Sequence, residues 1–203
     1  MTLSIDHSVA LTRRKYGGIA AIAGALLAIA GNTALLFVTP VVTDQFLSYP
    51  VTPAQFRWVQ VFFALTQALM AYGVFALVSS STGRRSLRVF AALSVIGFAI
   101  TVPGELVLIL VADKTFDDAA TNAASAVFGI GLLIADLGMI GYGIASRRNQ
   151  GWSVLPLIFG AFQLLVVTPA IFATGFTSFT TYVAIAVADL LIAAIGVRLL
   201  TTE

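Results

Sequence analysis

The chain has 203 residues, 59% of them hydrophobic and only 10% charged, with a formal net charge of +2 at pH 7. A soluble domain of this length carries about a quarter charged residues, so a membrane solvent explains the deficit better than a large core does. The absence of cysteine excludes disulfides, thiolate catalysis and cysteine metal sites, and the single histidine, His7, lies in the polar N-terminal segment, which excludes paired-histidine haem and histidine-rich zinc.

Six segments reach the roughly 20 predominantly apolar residues that a membrane helix needs. In chain order they run from Tyr16 to Thr39, Gln55 to Ser79, Leu87 to Ala112, Asn122 to Ser146, Trp152 to Ala173 and Thr180 to Leu200. Helix is the only conformation open to such lengths, because an open sheet edge leaves its backbone unsatisfied in lipid. The expected fold is therefore all-α: a polytopic membrane bundle over residues 16–200, preceded by a cytoplasmic N-terminal tail, residues 1–15. Before the second span, Thr52 is placed to cap the helix, with Pro53 at its first position and Gln55 closing a capping box. The two lysines, Lys15 and Lys114, lie at the ends of apolar runs, so a mid-membrane Schiff base has no residue to form on, and no cofactor is expected.

Basic residues set the orientation. Arg13, Arg14 and Lys15 precede the first span, Arg84, Arg85 and Arg88 separate the second from the third, Arg147 and Arg148 follow the fourth, and Arg198 ends the sixth. The opposite side has Arg57 and Lys114 beside Asp44, Asp113, Asp117 and Asp118. The positive-inside rule then places both termini in the cytoplasm. The pI near 9.2 is explained by topology rather than by nucleic-acid binding. Arg13-Arg14 before an apolar run resembles a twin-arginine signal, but the run is too long for a signal peptide, so an uncleaved first span is expected.

Odd spans share a mark near one end: Val38-Thr39-Pro40, Thr101-Val102-Pro103 and Val167-Thr168-Pro169. In the even spans Ala135-Asp136-Leu137 matches Ala188-Asp189-Leu190, each aspartate has a glycine seven residues on, Gly143 and Gly196, and Gln67 holds the corresponding place in the second span. Two readings stand, a threefold repeat of a helical hairpin or chance recurrence of common membrane residues. The prolines are expected to kink or end the odd helices.

Three acids lie within spans, Glu105, Asp136 and Asp189. An aspartate costs about 2.5–3.5 kcal/mol at a helix centre, while ten Leu, Ile or Val residues return about 3–6 kcal/mol, so each span still inserts. The acids are expected to face the bundle interior, with Gly129, Asp136 and Gly143 on one helix face, and Gln60 and Gln67 seven apart on another. No arginine or lysine lies at their depth. Each is then either a neutral carboxyl hydrogen-bonded to Gln60, Gln67, Gln163, Asn32 or Thr101, or part of a wet site that binds a proton, a cation or another small molecule. Glu105, Asp136, Asp189, Gln60 and Gln67 are the candidate site residues. Other motifs carry less. Of the six charges that three copies of a mitochondrial-carrier P-x-[DE]-x-x-[KR] signature need, only Glu105 is present, and neither Asp136 nor Asp189 sits in the G-x-G-D motif of intramembrane aspartyl proteases. Tyr16, Trp58, Trp152 and Tyr182 read as interfacial aromatics, and Asp113, Asp117 and Asp118 as solvated loop and helix-start acids rather than a divalent-cation site.

Phe56-Arg57-Trp58 opening the second span, the basic turn before the third, and Gly141-Tyr142-Gly143 leading to Arg147-Arg148 and Trp152 resemble a bacterial six-span family of unknown function. The resemblance implies a bacterial inner-membrane protein and brings no activity or site residues with it. The leading expectation is a small carrier or channel-like protein built around the mid-membrane acids. The alternative is an accessory or scaffold subunit with a membrane-protein partner or a second copy of itself. An enzyme ranks third, because the usual nucleophiles and bases are missing.

Overall fold

A computed structural model describes residues 3–79, 85–146, 154–174 and 178–201, so Arg84, Arg147, Arg148 and Trp152 lie outside the described residues. Among the described residues, seven α-helices build six spans. They are α1 (Leu3–Leu36), α2 (Pro53–Ser79), α3 (Arg85–Leu108, continued by a 3-10 turn, Ile109–Val111), α4 (Ala119–Ser146), α5 (Val154–Phe162), α6 (Thr168–Thr174) and α7 (Phe179–Thr201). A five-residue π-helical segment, Gln163–Val167, joins α5 to α6 into the fifth span. All six are long and apolar enough to cross a membrane. α1 runs unbroken from Leu3 through Lys15, so the polar N-terminal segment continues the first helix.

The capping box at the start of α2 forms as the residue types dictate. The Thr52 N–H donates to Gln55 Oε1 at 3.0 Å and the Gln55 N–H to Thr52 Oγ1 at 3.3 Å. Asp118 opens α4 by accepting the Ala120 N–H at 2.8 Å, the helix-start role expected of that acidic loop.

Each span packs on its neighbours in sequence, and α7 returns to α1, so the six spans close into a ring. The tightest seam lies between α3 and α4. A Cβ built on Gly138 would lie 2.5 Å from the Ser94 nitrogen, and one on Gly97 would collide with the Ala135 backbone. Small residues at seven-residue spacing let the two backbones approach this closely. Outside the ring, large apolar side chains face outward, among them Phe37, Leu110, Leu165 and Phe172, the last 87% exposed. A soluble monomer does not carry so extensive an apolar surface. This is a membrane protein whose outer wall contacts lipid.

The antiparallel order gathers Arg13, Lys15, Arg85, Arg88 and Arg198 at one end, the basic end. The other, the loop end, carries Arg57, Lys114 and residues 37–52 and 112–118. There, two segments clasp: the Leu47 N–H donates to the Lys114 carbonyl and the Phe116 N–H to the Gln45 carbonyl, each at 3.0 Å. The basic half is filled by Val74, Leu77, Ala91, Met139, Ile195 and Leu199. A smaller apolar cluster, including Leu47, Val51, Phe56, Val111 and Ala124, caps the loop end.

The three Val-Thr-Pro marks adopt three different local structures. Pro40 follows the end of α1, Pro103 sits inside α3 without breaking it, and Pro169 comes two residues after the π-helical segment.

Candidate functional site: a polar cavity in the loop-end half

Between the filled basic half and the loop-end cap lies a cavity of about 230 Å³ to which every span contributes. The first brings Asn32, the second Gln60 and Gln67, the third Glu105, the fourth Ser125, the fifth Gln163 and the sixth Asp189. Leu47, Tyr49 and Phe116 from the clasped segments border it at the loop end.

Local sequence explains how these polar groups come to face inward. Pro169 has no N–H to give the carbonyl four residues back, and its ring crowds that carbonyl. The chain responds by widening just ahead of it, so that the Thr168 N–H reaches the Gln163 carbonyl five residues back. Gln163 and Val167, at the two ends of the wide turn, are both buried on the cavity wall. In α3, Thr101 turns its hydroxyl to the Phe98 carbonyl at 2.7 Å, one turn back, and the Gln67 amide oxygen approaches the same hydroxyl at 3.4 Å. That contact ties α2 to α3 at the level of the cavity.

Three buried acceptors on the polar lining are unsatisfied. Gln60, Gln163 and Asp189 are each at least nine-tenths buried, and Gln60 Oε1, Gln163 Oε1 and Asp189 Oδ2 have no hydrogen-bond partner. Glu105 is also buried on the wall. No Lys, Arg or His is among the described lining residues. An unpaired buried acceptor costs about 1–3 kcal/mol, and three of them border this one cavity.

Four of the five sequence-predicted residues, Glu105, Asp189, Gln60 and Gln67, thus share one cavity, and Asp136 does not border it. Contacts between neighbouring helices set the depths. Gly97 meets Ala135, Gln67 meets Thr101, Gly17 meets Ala76 and Gly18 meets Gly196. Counting along those registers at 1.5 Å per residue puts Glu105 about 8 Å nearer the loop end than Asp189, and Asp136 about 6 Å deeper than Asp189. Asp136 is buried with Oδ1 unpartnered, and Gly160 of α5 packs so closely that a Cβ there would lie 2.6 Å from the Asp136 carbonyl oxygen. The matched Ala-Asp-Leu triplets therefore occupy different environments.

Two expectations are corrected. Tyr182, read as an interfacial aromatic, is buried on the cavity wall, because α7 starts at Phe179 and its fourth residue already points inward. Tyr16 and Trp58 are exposed at span ends, as interfacial residues require. Gly129, expected on an interior face with Asp136 and Gly143, is exposed, and a Cβ there would meet nothing within 4 Å. Among the described residues α4 packs on α5 and the π-helical segment but not on α6, which leaves that stretch of α4 open.

The cavity also has phenylalanines on its wall that the sequence does not single out. Phe56, Phe63, Phe98, Phe116, Phe128 and Phe159 all border the cavity, with Phe98 and Phe159 stacked at 6.0 Å between centroids. In a chain with 15 phenylalanines, no local signal separates these from the lipid-facing ones; only the ring of helices brings them together. Comparison with protein-family models, with curated proteins and with solved structures gave no match.

Proposed function

We propose that this protein is a small carrier or channel-like protein of a bacterial plasma membrane, in which Glu105 and Asp189 hold a proton or cation within the cavity. The observation that carries the reading is the set of unpartnered, deeply buried acceptors, Gln60 Oε1, Gln163 Oε1 and Asp189 Oδ2, around a space with no basic residue among its described lining. Ionisable groups within a span are costly and mark ligand or ion pathways. Gathering of the basic residues at one end supports cytoplasmic termini through the positive-inside rule, so the cavity belongs to the outer half of the membrane. On this reading the filled basic half is the closed inner gate, and the clasp of residues 45–47 with 114–116 is the outer one. Asp136, deeper than Asp189, is the next carboxyl a proton would meet on its way inward.

The test is flux through the purified protein in liposomes. The wild type should move protons or a cation, and Glu105→Gln and Asp189→Asn should each reduce the rate at least about tenfold. Full flux in both variants, or none in the wild type, would overturn the reading. The open stretch of α4 at Gly129 supports a second reading, an accessory subunit whose partner helix packs there. A native particle that contains another chain after extraction in mild detergent, together with no intrinsic flux, would favour it.

A further inference from the structure

The cavity wall has two chemistries that no single inorganic ion uses together. Its polar part includes the Glu105 and Asp189 carboxyls and the amide groups of Asn32, Gln60, Gln67 and Gln163, with unpartnered oxygens on Gln60, Gln163 and Asp189. The remainder is apolar, with Phe63, Phe98, Phe128 and Phe159 set among aliphatic residues. A bare metal cation takes oxygen ligands on all sides at short range, and a proton needs no room. A space of about 230 Å³ exceeds what either requires, since a water molecule occupies about 30 Å³. It also falls below the roughly 300 Å³ at which pockets for drug-sized ligands begin. We propose that the cavity takes a small organic cation, an alkyl- or arylammonium, with its nitrogen donating to Asp189 and its apolar body among the phenylalanines.

The inference rests on the proposed carrier reading and names its substrate class. A protonated amine supplies the N–H donors that the orphaned acceptors lack, and its charge is matched by a carboxylate. Aromatic rings favour a cation and an apolar body alike. An anion has no basic partner among the described lining residues. A neutral apolar molecule would leave Gln60 Oε1, Gln163 Oε1 and Asp189 Oδ2 unpaired.

The experiment is calorimetric titration of the purified wild-type protein in detergent with benzylammonium, and with benzyl alcohol as its neutral counterpart of similar size. The expected result is saturable binding of benzylammonium at least about tenfold tighter than that of the alcohol, the worth of one charge-assisted hydrogen bond. Asp189→Asn should abolish the preference, and because the comparison of the two ligands is made on the wild type, it stands even if that variant does not fold. Equal affinity for the two ligands, or no binding of benzylammonium, overturns the proposal. Proton and sodium flux into liposomes is measured on the same preparation. Acid-dependent flux without benzylammonium binding would sink the substrate class and leave the carrier reading intact, whereas loss of both would remove the two together.

Discussion

Replacing Gln163 with methionine separates a residue kept for ligand binding from one kept for stability. Gln163 is buried on the cavity wall with its Oε1 unpartnered, and methionine has a similar length and no branch, so it fits without crowding. Removing an unpaired buried amide oxygen returns about 1–3 kcal/mol. Waters in a polar cavity satisfy part of that demand and shrink the gain toward zero. Gln163→Met should therefore leave the empty protein as stable as the wild type or up to about 3 kcal/mol more stable, while cation flux falls. Such a gain in stability at the expense of activity is the mark of a functional polar group. Stability is read by denaturant unfolding in mixed micelles, and flux in liposomes of the same preparation. A loss of more than about 1 kcal/mol would refute the reasoning, because it would mean that the amide holds the fold together.

The glycine seam predicts a contrast. Gly138→Ala should cost about 1–3 kcal/mol by forcing α3 and α4 apart, whereas Gly129→Ala, where nothing lies within 4 Å, should be neutral or stabilising by up to about 1 kcal/mol. Equal effects in the same unfolding titration would contradict the packing. Pro169→Ala should let the wide turn tighten into α-helix and rotate Gln163 by about 100°, so flux should fall while helix content by circular dichroism is unchanged; wild-type flux would show that the wide turn is not needed. Because the chain has no cysteine, single cysteines report topology cleanly. An impermeant maleimide added to intact cells should label Thr115→Cys and should reach Ser86→Cys only after permeabilisation, and the reverse pattern would invert the proposed orientation.

The features legible in the sequence were those decided by a single helix. Six apolar runs gave six spans within a few residues, and Thr52 with Gln55 announced a capping box that forms as written. Glu105, Asp136 and Asp189 were conspicuous because a carboxyl in an apolar run is costly, and all three are buried. What stayed hidden depends on how helices meet. Asp136 and Asp189 have the same neighbours in sequence, yet the helix registers place them at different depths, and only Asp189 reaches the cavity. Pro169 signalled a kink, but the wide turn that brings Gln163 onto the wall depends on how the chain accommodates that proline. Tyr182 sits near a span end in sequence, and only the packing of α7 reveals that it faces inward.

On the proposed reading, Asp189 and Glu105 exchange a proton for a ligand inside the membrane. Difference infrared spectroscopy of the reconstituted protein, before and after benzylammonium or sodium is added, observes that exchange at the carboxyl groups themselves. The expected result is loss of a protonated-carboxyl band on ligand addition, weakened in Glu105→Gln and absent in Asp189→Asn. An unchanged carboxyl region with either ligand, or the same band loss in Asp189→Asn, would contradict it.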